Sequence, residues 1–267
     1  MQLDPIAITA GLRLESLGTI GSTSAEARFR AQQGDSGPLW ITATAQTQGR
    51  GRQGRSWISP PGNLYASLLL SDPSPFEHAP QLTFVAALAL RNAVALEAKM
   101  LVAQLKFKWP NDLLLDGRKC AGILIEGEAN PHGEAGKRLT LVIGIGVNCS
   151  SHPSAADGGI GFPATDLRAH GAVIAPEQLF ARLSATMCRR VAQWDRGRGF
   201  PAILGDWLAH AHGIGEPIAV RNGDVEMRGR FVGLDHSGRL MLEGADGGIT
   251  KIAAGDAFPF TVRGRPG

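Results

Sequence analysis

From Leu139 to Val147 the chain carries no charge and a single hydroxyl, Thr140, which is the pattern of a central strand in a sheet. Two glycines, Gly144 and Gly146, stand two apart in that run and therefore share one face of the strand. Interior glycines cost a strand stability, so a pair on one face points to a close approach to the backbone, by a ligand or by another segment of chain.

A strand of this kind needs a sizeable core around it. With 267 residues and 43% hydrophobic content, the chain can bury one large core, or one core plus a small satellite domain. Lys and Arg number 27 against 24 Asp and Glu, a balance of +3 that indicates local basic patches better than wholesale nucleic-acid binding. Cys120, Cys149 and Cys188 are odd in number, far apart and set among apolar residues. They read as small core hydrophobes in a reducing compartment, with no protein-built metal site. Asp4 and Pro5 sit where a secretory signal needs basic residues, and the apolar run 82–90 ends at Arg91, too short to span a bilayer. A cytoplasmic protein with no membrane partner is expected.

In chain order, residues 12–17 alternate like a strand, and Ser22, Thr23 and Ser24 offer hydroxyls to cap a helix beginning near Ala25. The same hydroxyls can bind a polar ligand group. A strand over 40–45 runs into Gln46, another covers 64–70, and a long helix over 81–100 has an apolar front half that must be buried. Amphipathic helices follow at 176–194 and 200–211.

The segment 49–57, Gly-Arg-Gly-Arg-Gln-Gly-Arg-Ser-Trp, has more arginine and glycine than solubility requires. Its glycines let backbone N–H groups approach a ligand, and each guanidinium offers a fork of donors to carboxylate or phosphate oxygens. Gly49, Gly51 and Gly54 satisfy the dinucleotide fingerprint, and residues 49–56 satisfy the phosphate-loop spacing with Arg55 in place of its lysine. Both motifs require a helix to start at the loop, whereas Ser59, Pro60, Pro61 and Gly62 announce a turn and then a strand. An anion-binding loop and a solvated basic loop between strands are the two remaining readings.

Between Lys106 and Glu126, Asp116 and Gly117 separate two apolar runs and mark a two-residue hairpin. Pro110 interrupts the first run and places Asn111 and Asp112 at a kink. Lys108 and Lys119 flank the kink and the turn in otherwise buried strands, so each is either on a solvated face or at a ligand.

Four segments together, the arginine loop, Lys108-Trp109-Pro110-Asn111-Asp112, the run from Lys119 through Ala121-Gly122-Ile123-Leu124 to Glu126, and Ile143-Gly144-Ile145-Gly146 with Asn148, resemble the biotin-protein ligases. The likeness covers about residues 12–262. It implies an α+β fold: a mixed β-sheet flanked by helices over 1–212, of the kind shared with class II aminoacyl-tRNA synthetases and lipoate ligases, then a small SH3-like β-barrel over 213–267. The first strand begins by residue 12, so the likeness is to ligases without a DNA-binding winged helix and no DNA partner is expected. Whether the chain pairs into a homodimer is left open.

The activity this resemblance implies is ATP-dependent attachment of biotin to one lysine of a biotin carboxyl carrier domain, through biotinyl-adenylate. Ser22, Thr23, Ser24 and Gln46 match the segment that binds the biotin rings. Arg50, Gly51 and Arg52 match the loop that closes over biotin and the adenylate, and Lys119 matches the lysine near the reacting carboxyl and phosphate. Lys108, Asn111, Asp112, Gly144, Gly146 and Asn148 fall to the nucleotide side, with Arg52; magnesium arrives with the ATP phosphates, and Asp112 is placed to accept or orient the incoming amine. Ser24 and Ser56 depart from the residues relatives often carry, and the segment 150–165 stands where the family covers adenine but has no tryptophan. A lipoate-protein ligase, and a basic nucleic-acid-binding protein, are the rival readings; the second calls for aromatic residues interleaved with the basic ones, and the loop has one, Trp57.

Overall fold

The protein is described by a computed structural model covering residues 1–129, 139–154 and 163–259. A short helix α1 (Pro5–Thr9), capped by the Asp4 carboxylate, leads into β1 (Arg13–Ile20). Ser22 then caps α2 (Thr23–Gln32), and β2 (Leu39–Gln46) returns beside β1 in parallel. β3 (Leu64–Ser71), β4 (Leu105–Lys108), β5 (Asp112–Leu115), β6 (Arg118–Ala129) and β7 (Leu139–Val147) complete a mixed sheet of order β1-β2-β3-β7-β6-β5-β4, with the remaining pairings antiparallel. The expected central strand is β7, in the middle of the seven. The hairpin at Asp116 and Gly117 is present, with both residues at positive φ (50° and 72°) as a type I′ turn requires.

Period-two alternation divides the two faces of β7. Leu141, Ile143 and Ile145 join the main core with α3 (Leu82–Glu97) and α4 (Pro176–Trp194), whereas Val142 packs with Ala27 of α2. By length and composition α3 with the turn before it can cross a bilayer, but here it lies buried against β5, β6 and β7. It is shorter than the 81–100 expected from sequence: Ala98 leaves helical geometry (φ −133°), and a 3₁₀ turn over Lys99–Gln104 carries the chain into β4. Pro110 makes a full reversal rather than a kink, so Lys108 and Asp112 face each other across β4 and β5. Helix α5 (Phe200–Leu208) stops short of 211 because the chain then pairs with the edge strand: Phe107 N–H donates to His210 O and His212 N–H to Phe107 O.

Beyond that point lies a five-stranded antiparallel sheet: β8 (Pro217–Asn222), β9 (Val225–Leu234), β10 (Leu240–Glu243), β11 (Ile249–Ile252) and β12 (Asp256–Pro259), in the order β11-β10-β9-β8-β12. It is docked on the larger sheet. Trp109 Nε1–H donates to Gly238 O (3.1 Å), and a Cβ at Gly238 would lie 2.7 Å from the Phe84 ring.

Trp207 fastens α5 to this arrangement, stacked on Phe107 (5.4 Å between centroids, 11° between planes) and edge-on to Phe84. Trp207→Ala is expected to cost about 3–5 kcal/mol, since a full aromatic volume is lost from a site that cannot collapse onto a neighbouring sheet. A lower urea midpoint at unchanged slope is the measurement that checks it.

Candidate active site

On the face of β6 and β7 turned toward α2, three glycines leave a patch without side chains, bordered by Leu124 and Val142. Gly122 and Gly146 are register partners, and Gly144 lies two residues up from Gly146. A Cβ would stand 2.6 Å from Ser24 Oγ at Gly144, 2.5 Å from Trp57 Nε1 at Gly146, and 3.1 Å from the Trp57 ring at Gly122. The close approach read from the sequence is made by the protein's own Ser24 and Trp57. These glycines form the floor of a cavity of about 870 Å³. Every residue to which the resemblance assigns a role lines it: Ser22, Thr23, Ser24, Gln46, Arg50, Gly51, Arg52, Lys108, Asn111, Asp112, Lys119, Gly144, Gly146 and Asn148.

One end is built of short polar side chains at the start of α2. Gln46 Oε1 accepts from Thr23 N (2.8 Å) and from Thr23 Oγ1 (3.1 Å), and Gln46 Nε2 donates to Ser59 Oγ (2.9 Å). Ser67 Oγ–H donates to Thr23 Oγ1 (2.8 Å) and pairs with Ser24 Oγ (3.1 Å). Ser22 is the helix cap, accepting from Ala25 N, so of the three hydroxyls it alone has the ordinary role. Ser67 was missed from sequence because one serine in an apolar strand carries no local signal.

Cations occupy the middle. The Asp112 carboxylate lies 2.6 Å from Lys119 Nζ and 3.5 Å from Lys108 Nζ. Burial pushes that carboxyl up, but the two ammoniums outweigh it and hold it below the usual carboxylate range. For Lys108 burial is the largest influence and lowers the ammonium's pKa, with Asp112 pulling the other way. Lys119 also stands 5.3 Å over the Trp57 ring, a cation–π contact. Trp57 forms the wall between the arginine loop and Lys119. Its Nε1–H is buried without a hydrogen-bond partner among the described residues.

The arginine loop is a tight hairpin rather than the start of an α-helix. Trp57 N–H donates to Gly49 O and Gly51 N–H to Arg55 O, and the tip turns through Gln53 and Gly54 at φ 56° and 72°. Glycine is needed at 49, where a Cβ would lie 2.4 Å from Trp57 O. Arg52 Nη1 donates to Asn111 Oδ1 (3.0 Å) and Gly255 O (3.2 Å). Its burial lowers the guanidinium pKa, while Asp256 and Asp112 raise it. Arg50 faces Glu126 at 3.7 Å.

At the far end Asn148 Nδ2 donates to Thr165 O (3.0 Å), and Lys119 pairs with Ala164, fastening the segment after 163 to the cavity rim. His152 lines this end, held by Asp166 at 2.6 Å. Residues 155–162, the middle of the adenine-covering segment expected over 150–165, lie outside the described residues. Of the cysteines, Cys120 and Cys149 are buried; burial raises both thiols, Cys149 to about 12, so neither is a nucleophile at neutral pH. Among the described residues six cationic side chains, Arg50, Arg52, Arg55, Lys108, Arg118 and Lys119, line the cavity against the carboxylates of Asp112 and Asp256. The cavity can bring two anions together, with a neutral hydrogen-bonding pocket at one side of their meeting point.

Asp112 gives a pH test. Its folded carboxyl titrates below the unfolded value of about 3.9, so its stabilisation is complete above that pH and is lost as pH falls through the folded value. Asp112→Asn leaves Lys108 and Lys119 facing a neutral amide and should cost about 3 kcal/mol at neutral pH. Urea unfolding of both proteins at pH 7 and pH 3 should show the gap closing in acid.

Residues 20–148 match the Biotin/lipoate A/B protein ligase family, and residues 213–258 match the Biotin protein ligase C terminal domain. The chain is 40% identical over 239 residues to the biotin–[acetyl-CoA-carboxylase] ligase of Paracoccus denitrificans, covering 89% of this chain and 96% of the relative. It is 32% identical to the ligase of the same name from Mycobacterium tuberculosis, over 91% of this chain and 88% of the relative. Its fold superposes on the biotin protein ligase of Aquifex aeolicus solved with biotin and ATP, with TM-score 0.76, 26% identity, and coverage of 92% and 97% of the two chains.

Proposed function

The chain belongs to the biotin protein ligase family, and from that membership we propose that it joins biotin to a lysine of the carrier domain of acetyl-CoA carboxylase in two steps. The biotin carboxylate attacks the α-phosphorus of ATP, giving biotinyl-5′-adenylate and pyrophosphate. The lysine amine then attacks the acyl carbon, AMP leaves, and an amide forms. One observation carries the reading: a neutral pocket of hydroxyls and an amide opens directly onto a cluster of cations over a floor of glycines.

Each group has a task that its surroundings support. Thr23, Ser24 and Gln46, already joined in one hydrogen-bond network, suit the polar rings of biotin. Lys119 is placed to neutralise the biotin carboxylate, and Lys108 and Arg52 to hold phosphate oxygens while charge builds on them. Asn111 steadies Arg52, and its own Nδ2 donates to Ile123 O (2.6 Å). Asp112 is too weak a base, at its depressed pKa, to take a proton fully from an alkylammonium; it orients the incoming amine, standing where two ammoniums already sit. Magnesium comes with the triphosphate as part of the substrate. We place the boundary between catalytic part and C-terminal module at 212/213, where the chain leaves its pairing with β4.

The direct test is incubation with biotin and Mg-ATP followed by mass spectrometry. Biotinyl-adenylate is expected, and lipoate in place of biotin should give no adenylate; lipoyl-adenylate instead would move the chain to the lipoate branch. Lys119→Ala tests the division of labour. Losing a fixed cation at a centre of developing charge should slow adenylate formation about a hundredfold to a thousandfold. Transfer from preformed biotinyl-adenylate should be largely retained, and equal loss in the two half-reactions would remove Lys119 from the assigned role.

A further inference from the structure

The C-terminal module sends one strand into the cavity wall, and the chemistry above leaves its acidic residue without a task. Asp256 Oδ2 lies 2.7 Å from Arg55 Nη2, and Asp256 Oδ1 lies 3.6 Å from Arg52 Nη1. The neighbouring Gly255 carbonyl accepts from Arg52 at 3.2 Å. The carboxylate is held in place from several directions. Pairing of β12 with β8 sets Asp256 opposite Arg221. Gly255 adopts φ 151°, and a Cβ there would lie 2.8 Å from Val220 and 3.0 Å from Arg221 O, so the backbone that presents Asp256 admits glycine best. Two residues on, the Phe258 ring stands 5.4 Å from Lys108 Nζ.

Arg55 gains from this a partner 201 positions away in sequence, although the side chain itself is half exposed (47%). The Asp256 side chain is only 14% exposed, so its charge is little screened and an arginine-rich hairpin with few apolar contacts of its own gains a fixed anchor. The loop carries Arg52 on one side of its tip and Arg55 on the other, and both reach the same carboxylate.

We propose that Asp256 is a positioning residue for the arginine loop: from the C-terminal module it anchors Arg52 and Arg55, and so keeps the loop over the acyl-adenylate until the carrier amine arrives. The proposal rests on the adenylate reading above. It makes the C-terminal module a determinant of how long the reactive anhydride is retained, because a loop released from Asp256 uncovers it.

The test compares wild type with Asp256→Asn, Asp256→Glu, Arg55→Gln and the Asp256→Asn/Arg55→Gln double variant. In single turnover with biotin and Mg-ATP, the ratio of free biotinyl-adenylate released to carrier biotinylated is measured. Asp256→Asn should raise that ratio about tenfold, the scale of one lost charge-assisted hydrogen bond. Asp256→Glu should restore most retention, and the double variant should leak no more than Asp256→Asn alone, since Arg55→Gln breaks a contact that Asp256→Asn has already broken. Limited trypsin digestion without ligand supplies an independent reading, with faster cleavage in the loop of Asp256→Asn than of wild type. Retention and cleavage equal to wild type in Asp256→Asn would overturn the proposal, as would additive leakage in the double variant. Tighter ATP binding with undiminished retention would also overturn it, by showing Asp256 to be only an anion that phosphate displaces. If wild type forms no adenylate, the functional reading fails while the trypsin comparison still decides whether Asp256 anchors the loop.

Discussion

A patch of sheet without side chains is the constraint on which the site depends. Gly122, Gly144 and Gly146 remove the Cβ layer from adjoining strands, and the room so created is shared between Ser24, Trp57 and the cavity. Any side chain there would push Trp57 or Ser24 outward. Helix α2, the arginine loop and the Lys108–Asp112–Lys119 cluster take their positions around that floor. The cost of three glycines in central strands, about 0.5–1 kcal/mol each, is offset by the apolar core on the opposite face.

Charge in the cavity is arranged for exchange. Among the described residues, six cationic side chains line the cavity against two carboxylates, an excess of positive charge that self-repulsion would scatter. Asp112 between two lysines and Asp256 between two arginines hold the cations in place before any substrate arrives. Each carboxylate stabilises the geometry of the cations beside it. Preorganisation of this sort lowers the reorganisation needed at the moment of reaction.

The two sheets are mechanically one unit at this point. Trp109 and Gly238, Lys108 and Phe258, and Arg52 and Gly255 join them along the cavity's edge, each through a residue beside a catalytic candidate. Motion of the smaller sheet would therefore move the walls of the site.

Much of this was legible in the sequence because the signals are local. Alternation and apolar runs gave the central strand, Asp116 and Gly117 the hairpin, and Pro176 the start of α4, since each depends on backbone preferences within a few residues. The glycine pair announced a close approach. Three-dimensional structure alone decided what approaches the glycines, that Pro110 reverses the chain, that Trp57 and Asp256 line the cavity, and that buried Ser67 braces Thr23 and Ser24. Those facts rest on contacts between residues tens to hundreds of positions apart, and no periodicity or spacing encodes them. Asp256 is the extreme case: an acidic residue near the chain's end becomes the counter-ion of an arginine at 55 only because β8 and β12 carry it to the mouth of another sheet.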